Sequence, residues 1–286
     1  MKNNNNSNEQ EKKVPKKKKR VSILSFFLKL FVFLMIVGVG VLSYMIYSIR
    51  KETPTELIES YSPISPSVIY DINGNQLDTI IVENRSPISI NDVPKHVQDA
   101  FLAIEDRKFR THHGFDFVRT GRAMFLTLTG RRREGGSTIT QQLAKNAFLT
   151  PERTWIRKAK EAILAIEIEN ALNKQEILEL YLNKIYLGYR SYGVAAAAKT
   201  YFGKELNQLT LSEMAVIAGL PKAPSTMNPL SSPKRALERR NVVLWRMLDQ
   251  KYITQQEYDA ALKEPIVASY HGAKLDFRAD YVTEMV

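Results

Sequence analysis

The most pronounced hydrophobic pattern in the sequence is a run of 20 residues without a charged side chain, from Leu30 to Ile49. At ~1.5 Å per residue, a helix of this length covers the roughly 30 Å hydrocarbon core of a bilayer. The pattern therefore predicts one transmembrane helix, and we assign residues 21–49 to this anchor. A cleaved signal peptide is the alternative, but its apolar core is usually only about 7 to 15 residues long, and no A-x-A-like cleavage site follows.

After the anchor, the sequence becomes polar and then rich in β-forming residues. Residues 50–66 contain three prolines among serines and threonines, which is typical of a linker. The segments 67–70 and 76–82 favour strands, and Asn73 with Gly74 between them suits a tight turn with positive φ angles. This pattern predicts a small β-hairpin at the start of a folded domain.

From residue 94 onward the apolar residues recur with the period of a helix. Val97, Phe101 and Ile104 form one stripe, which places Glu105 and Asp106 at its edge, near the end of that helix. Further helix starts are predicted at the capping boxes Thr210 to Glu213 and Thr254 to Glu257, and at the pairs Thr150-Pro151 and Ser232-Pro233. We therefore expect a mainly α domain over residues 67–250, with a C-terminal helix and linker over 251–286.

The excess positive charge is concentrated at the N-terminus. The chain carries +11 in total, and residues 1–20 contain eight basic and two acidic side chains. Because basic flanks stay on the cytoplasmic side, this tail predicts a single-pass protein with its N-terminus in the cytoplasm and its domain outside. A nucleic-acid role for the lysine run is the alternative, but its position beside an apolar span favours membrane topology.

The composition and spacing of ligand-type residues exclude several kinds of site. Cysteine is absent, so disulfides, thiolate zinc sites and a cysteine nucleophile are excluded. His112 and His113 are adjacent and belong to no H-E-x-x-H pattern, so their spacing does not predict a metal site.

The first candidate for chemistry is residues 105–116, where two carboxylates precede an aromatic residue, two histidines and a glycine. Partial burial beside an apolar stripe favours a carboxylate that exchanges protons. A solvated helix end with local ion pairs is an equally good interpretation of this segment alone.

A second candidate is residues 135–146, which predict a glycine hinge, an N-cap at Ser137 and a helix. The polar side of that helix would carry Thr138, Gln142 and Lys145, and the apolar side Ile139, Leu143 and Ala147. Ordinary solvated surface has the same pattern. A Walker A loop is excluded, because Gly136 occupies the position of the phosphate-binding lysine.

A third group lies on the next predicted helix. Arg157 and Glu161 are one turn apart, so an intrahelical ion pair is the simplest interpretation. The functional alternative is a cationic pocket for phosphate formed by Lys145, Arg157 and Lys158.

Residues 115–133 mix phenylalanines and leucines with five arginines, a composition typical of a segment at a lipid interface. A basic loop over a buried phenylalanine cluster has the same composition.

Taken in order, these segments resemble the peptidoglycan glycosyltransferase domain of class A penicillin-binding proteins and their monofunctional relatives, the family 51 glycosyltransferases. The resemblance covers roughly residues 68–250. Its five blocks are residues 105–114, residues 135–146, residues 157–161, residues 174–203 and residues 212–229. Five blocks in this order are far more specific than any single motif.

The resemblance implies a lysozyme-like α fold and, as substrates, lipid II and the growing glycan strand at the membrane. It implies polymerisation into β-1,4-linked strands with inversion and release of undecaprenyl pyrophosphate, a reaction that moenomycin inhibits. It implies no required cofactor and is compatible with Mg²⁺ or Mn²⁺ near Glu105 and Asp106. Cell-wall synthesis or division proteins are the expected protein partners, and nucleic acid is not.

The resemblance also implies roles for individual residues. Glu105 would be the general base, and Glu161 the second essential carboxylate, orienting Arg157 or stabilising charge at the reacting centre. The other expected substrate-site residues fall into four groups. Asp106, Phe109 and His112 would also support the loop after Glu105, and Thr138, Gln142 and Asn146 would line the donor site. Lys145, Arg157 and Lys158 would bind the pyrophosphate, and Lys222 would face the substrate.

Class A penicillin-binding proteins continue into a transpeptidase domain, for which this chain has no credible nucleophile. Residues 231–234 match S-x-x-K by letter, but Pro233 marks a helix start, and neither S-D-N nor K-T-G follows. We therefore expect no transpeptidase activity from this chain, which is either a shortened bifunctional enzyme or a naturally short one.

Two other functional classes fit parts of the same pattern. A glycan hydrolase or lytic transglycosylase also uses a catalytic glutamate, but a neutral glycan gives the cluster of cations nothing to bind. A catalytically silent membrane scaffold is the alternative from a non-enzymatic class, and the intact set of five blocks disfavours it.

Overall fold

The computed structural model describes residues 23–52, 58, 67–70, 72–73, 76–80, 84–130, 135–149 and 154–272. The chain divides into two compact units, Met1–Ser48 and Ile49–Val286. The basic tail 1–20 and most of the predicted linker 50–66 lie outside the described residues.

The first unit contains most of helix α1, which runs Ile23–Glu52. Its segment Ser25–Ile49 is long and apolar enough to cross a membrane, judged by length and composition. Large apolar side chains are exposed along it, such as Phe31 and Leu34. A helix that is hydrophobic all round and not covered by protein is suited to a lipid surrounding. The apolar helix predicted from the sequence is confirmed.

The second unit begins with short strands. Strands β1 (Ser67–Tyr70) and β2 (Gln76–Ile80) pair antiparallel, with Ser67 opposite Ile80, which confirms the predicted hairpin. Gly74 of the predicted turn and residues 81–83 lie outside the described residues. Strands β3 (Asn84–Arg85) and β4 (Ser191–Tyr192) pair in parallel and were not predicted, because two residues are too few for an alternating pattern.

Helices form the rest of the second unit, which confirms the mainly α prediction. They are α2 (Lys95–Glu105), α3 (Phe117–Leu128), α4 (Ile139–Phe148), α5 (Trp155–Ala171), α6 (Lys174–Lys184), α7 (Val194–Phe202), α8 (Leu211–Gly219), α9 (Pro233–Asp249) and α10 (Gln255–Lys263), with 3-10 helices at Leu206–Gln208 and Leu220–Lys222.

The two helix starts that were predicted from capping boxes, at Thr210 and Thr254, are correct. Thr210 and Thr254 each accept a hydrogen bond from the backbone of the glutamate three residues later, and each glutamate bonds back. Helix α9 begins at Pro233, as predicted.

Two predicted starts are wrong. Helix α5 begins at Trp155, with Thr154 Oγ1 accepting from Arg157 N at 3.1 Å, so its cap is Thr154 and not Thr150. Thr150 and Pro151 themselves lie outside the described residues. Helix α4 is capped by Thr138 rather than by Ser137, since the Thr138 side chain forms a capping box with Gln141.

The helices of the second unit form two groups. Helix α8 is buried from Ser212 to Gly219 and packs against α2 and α9. Helix α4 packs against α5 and α6. The groups meet where Phe101 of α2 contacts Tyr181 of α6, edge to face, with ring centroids 6.1 Å apart. Glu105, the last residue of α2, therefore lies near this junction.

One buried arginine is among the contacts that join the residues after 250 to the helices. Arg240 of α9 is 1 % exposed, and its guanidinium donates to Ser212 Oγ and to the carbonyl oxygens of Leu262 and Glu264. Burial lowers the pKa of Arg240 from its ordinary value. The sequence-based boundary at residue 250 stays a prediction, but this arginine bonds directly to the chain beyond it.

We expect Arg240→Met to destabilise the second unit, because the three acceptors above and Asn241 Oδ1 would lose their donor. Loss of buried hydrogen bonds to a charged group costs about 3 kcal/mol, which lowers Tm by roughly 5 to 10 °C in a domain of this size. Thermal unfolding in detergent measures this. Arg235→Met, an exposed arginine on the same helix, is the control and should change Tm by less than about 2 °C. Equal effects of the two variants would contradict the assignment.

Candidate active site

The candidate site is centred on Glu105, whose side chain is 14 % exposed. Its Oε2 accepts a hydrogen bond of 2.9 Å from Gln142 Nε2 on α4. Its Oε1 lies 3.8 Å from Arg239 Nη2 on α9. The carboxylate thus has a partner from each of the two helix groups.

Asp106 fastens the end of α2 to the beginning of α4. Its carboxylate is buried, and Oδ2 accepts from Ile139 N at 2.9 Å and contacts His112 Nε2 at 2.8 Å. His112 Nδ1 accepts from Gly114 N at 3.1 Å, so the imidazole proton belongs on Nε2, facing Asp106. A carboxylate at a helix N-terminus is also stabilised by the helix dipole.

Phe109 and Lys174 complete the support of this loop. The Phe109 ring is buried, with its centroid 6.0 Å from that of His112. Lys174 Nζ lies 4.6 Å from the Phe109 ring centroid and donates to His112 O at 2.7 Å. Asp106, Phe109 and His112 are therefore all buried in the segment that follows Glu105, which favours a supporting role over direct contact with a substrate.

Thr138 does not lie on the polar surface that the sequence predicted for it. Its side chain is fully buried, and Oγ1 donates to Gly114 O at 2.8 Å while accepting from Gln141 N at 3.1 Å. Its role is to join the Glu105 loop to α4.

The remaining polar face of α4 matches the prediction. Ile139 and Leu143 are buried, whereas Gln142 is half-buried and Lys145, one turn further, is exposed. The side chains of Lys145 and Asn146 form no hydrogen bond or ion pair with the described part of the chain. Lys145 thus presents its charge to solvent on the helix that also contacts Glu105.

The ion pair predicted on α5 is present, whereas the convergence of Lys145 with Arg157 and Lys158 stays a prediction. Glu161 is 1 % exposed, and Oε2 accepts from Arg157 Nη1 at 3.2 Å while Oε1 accepts from Lys158 Nζ. Lys158 Nζ also donates to Ser137 Oγ at 2.7 Å, which ties α5 to the segment before α4. Arg157 Nε is buried and has no hydrogen-bond partner among the described residues. The Glu161 carboxylate is paired with both Arg157 and Lys158, so these three side chains together keep a net positive charge.

Lys222 stands apart from these contacts. It is exposed at the end of the 3-10 helix Leu220–Lys222, and nothing in the described ranges forms an ion pair with it. Its predicted place at the substrate stays a prediction.

Sequence reasoning missed three residues that contact the Glu105 region. Arg239 contacts its carboxylate, Arg119 Nη1 donates to its backbone carbonyl, and Tyr181 hydroxyl donates to Gln142 Oε1 at 3.3 Å. Arg239 is more than 100 residues from Glu105 in the sequence. Tyr181 lies in a motif where the sequence predicts an aromatic residue of the hydrophobic core. No spacing rule joins them to the site.

Helix α3 presents apolar side chains to solvent. Phe117 is 78 % exposed and Phe125 60 % exposed. A buried phenylalanine cluster is therefore the wrong interpretation for these two residues, and the interfacial interpretation of the segment is favoured. Residues 131–134 lie outside the described part.

The residues present do not fit a divalent metal beside Asp106. Its Oδ2 accepts from Ile139 N and contacts His112, its Oδ1 has no hydrogen-bond partner among the described residues, and its side chain has no exposed surface through which a hydrated ion could reach it. No group of three or more histidine or carboxylate side chains in the described ranges is arranged to hold a metal ion.

Comparison with known proteins defines the class of the chain. A family model described as Transglycosylase matches residues 73–248, which is more than half of the sequence, so the chain belongs to this family. The carboxylate–cation site described above lies within the matched segment.

Among individual proteins, the chain is similar to penicillin-binding protein 1A of Haemophilus influenzae, with 68% identity over 222 residues, covering 77% of this chain and 26% of that protein. It is 50% identical over 268 residues to penicillin-binding protein 1A of Escherichia coli K12, covering 93% and 32%. It is also similar to penicillin-binding protein 1F of Bacillus subtilis, with 50% identity over 192 residues, covering 67% and 27%.

A crystal structure of penicillin-binding protein 1A from Haemophilus influenzae matches 79% of this chain and 24% of its own, with 49% identity and a TM-score of 0.46. The chain thus spans about a quarter to a third of the length of the relatives it matches.

We expect Gly114→Ala to disrupt the loop that follows Glu105. Gly114 has a φ of +82°, and a Cβ there would lie 2.7 Å from Ala165 O, so the variant combines backbone strain with a collision against α5. We expect a loss of about 2 to 4 kcal/mol in stability. Gly130→Ala is the matched control: its φ is +67°, but a Cβ would meet nothing within 4 Å. Equal unfolding midpoints of the two variants would show that the contact with Ala165 is unimportant.

Proposed function

We propose that this chain is a peptidoglycan glycosyltransferase that polymerises lipid II into β-1,4-linked glycan strands with inversion and release of undecaprenyl pyrophosphate. Membership of the transglycosylase family and the names of the relatives support this proposal. The observation that carries it is a pre-positioned carboxylate, Glu105, hydrogen-bonded to the same helix that presents Lys145.

Glu105 is the general base of the proposed reaction. The 4-hydroxyl of the acceptor GlcNAc forms a bond to the anomeric carbon of the donor MurNAc as the bond from that carbon to the pyrophosphate oxygen breaks. The hydroxyl proton passes to Glu105, and the pyrophosphate departs with the electron pair as an anion. Inversion needs one such base, and an anionic leaving group of this kind needs no acid.

The cations receive the leaving group. Negative charge develops on the pyrophosphate, and ammonium and guanidinium groups held in place stabilise it without reorganisation. Lys145 is open to solvent for this role, and Glu161 holds Arg157 and Lys158 in place beside the start of α4. Asn146 lines the donor site in this proposal, and Lys222 faces the substrate.

The membrane arrangement follows from the same proposal. Helix α1 anchors the chain, the basic tail stays in the cytoplasm, and the helical domain lies outside, where the undecaprenyl chain of lipid II holds the substrate in the outer leaflet. Exposed Phe117 and Phe125 of α3 lie at the lipid interface. Other cell-wall synthesis or division proteins are the proposed partners.

Incubation of the detergent-solubilised chain with labelled lipid II tests the reaction. We expect glycan polymer to form and moenomycin to abolish it. Incubation with purified peptidoglycan is the second arm, in which we expect no release of soluble muropeptides. Muropeptide release without polymer would identify a lytic enzyme, and inactivity in both arms would favour a scaffold; either result contradicts the proposal.

Variants of the proposed base and cations test the residue roles. We expect Glu105→Gln to abolish polymer formation in a folded protein, because an amide accepts no proton at neutral pH. Lys145→Ala and Arg157→Ala should each lower the rate about 10²- to 10³-fold, the usual effect of removing a donor to developing charge. Lys263→Ala, an exposed lysine in the last turn of α10, is the control and should retain the wild-type rate. Substantial polymerisation by Glu105→Gln would eliminate Glu105 as the base.

A further inference from the structure

The two oxygens of the Glu105 carboxylate face different partners. Oε2 accepts from Gln142 Nε2 at 2.9 Å, and Oε1 lies 3.8 Å from Arg239 Nη2. Each carboxylate oxygen has about two acceptor sites, so these contacts fix the orientation of the group and leave capacity for a substrate hydroxyl.

Tyr181 determines which end of the Gln142 amide faces Glu105. The Tyr181 hydroxyl donates to Gln142 Oε1 at 3.3 Å, which leaves the amide nitrogen to donate to Glu105. A flipped amide would direct its oxygen at a carboxylate oxygen, two acceptors with no proton between them. The hydroxyl therefore supports the one amide orientation that donates to the base.

Tyr181 is held firmly in this position and stays a donor. Its side chain is 1 % exposed, and its ring contacts Phe101 edge to face. Burial, with the carboxylates of Glu105 and Asp106, raises the pKa of Tyr181 well above its ordinary value, so the hydroxyl keeps its proton at neutral pH.

Arg239 is fixed on the other side of the carboxylate. Its side chain is 13 % exposed, and Nε donates to Gly219 O at 3.2 Å. The stem of the side chain lies across Gly219, where a Cβ would approach Arg239 Cγ to 2.8 Å. The end of α8 thus directs the guanidinium towards Glu105.

We propose that Tyr181 and Arg239 are positioning residues, which hold the Glu105 carboxylate between them in the orientation that accepts the proton of the attacking hydroxyl. Tyr181 acts through Gln142, and Arg239 acts directly on Oε1. The inference rests on the proposed function of Glu105 as the base. A base must lie within hydrogen-bond reach of its proton, and small displacements of reacting groups reduce rates steeply.

The first test compares two buried tyrosines that differ in their connection to Glu105. Tyr181→Phe removes only the hydroxyl and keeps the ring against Phe101. We expect kcat for lipid II polymerisation to fall about tenfold with KM changed less than about twofold, since substrate binding is retained while the base loses its orientation.

Tyr201→Phe is the matched control, because the Tyr201 hydroxyl is equally buried and donates to Leu187 O at 2.8 Å, away from Glu105. It should keep kcat within about twofold of the wild type. An unchanged kcat in Tyr181→Phe, or an equal fall in both variants, would overturn the role of Tyr181.

The second test separates position from charge at Arg239. We expect Arg239→Gln to lower kcat about tenfold or more at little-changed KM, and Arg239→Lys to recover part of the loss by restoring the positive charge. Arg246→Gln is the control on the same helix, since the Arg246 guanidinium lies over the Trp245 ring, 4.9 Å from its centroid. A rise in KM alone for Arg239→Gln, or the same fall in Arg246→Gln, would overturn the role of Arg239.

Wild type and Glu105→Gln in the same assay distinguish this inference from the proposed function. If the wild type makes no polymer, the proposed function fails. If the wild type polymerises, Glu105→Gln does not, and both positioning variants keep the wild-type kcat, only the inference about Tyr181 and Arg239 fails.

Discussion

The buried carboxylate of Asp106 is the interaction on which the rest of the site depends. A charge without access to water needs hydrogen-bond donors, and here Ile139 N and His112 Nε2 both donate to Oδ2. Oδ1 has no hydrogen-bond partner among the described residues and lies 3.8 Å from Arg119 Nη1. Because the two donors belong to α4 and to the loop after α2, their bonds to Asp106 fix the end of α2 against the start of α4. Glu105 precedes Asp106 by one residue, so the direction of its side chain is set by the same contact.

The charged side chains of the site differ in their exposure to solvent. Glu105 and Glu161 are held by hydrogen bonds at partly or fully buried positions, whereas Lys145 is open to solvent. Glu161 neutralises only part of the charge of Arg157 and Lys158. The arrangement combines an oriented carboxylate with cations that keep a net positive charge, which supports the proposed reaction with its anionic leaving group.

The helix starts show how far local sequence rules reach. The capping boxes at Thr210 and Thr254 follow from residues three apart and were predicted correctly. Ser137 and Thr138 compete for one cap, and the contact of Thr138 Oγ1 with Gly114 O, 24 residues away, decides between them. Residues 105 and 106 were correctly placed at a helix end, because an apolar stripe is a local pattern.

By itself, the sequence determined the apolar helix, the hairpin, the mainly helical domain and the residue types of the site, because periodicity, capping and motif spacing act over a few residues along the chain. Only the tertiary structure decided that Arg239 and Tyr181 reach the site of Glu105 and that Thr138 is buried. These outcomes depend on how α2, α4, α6 and α9 pack, and packing joins side chains through space, with no trace in the local order of residues.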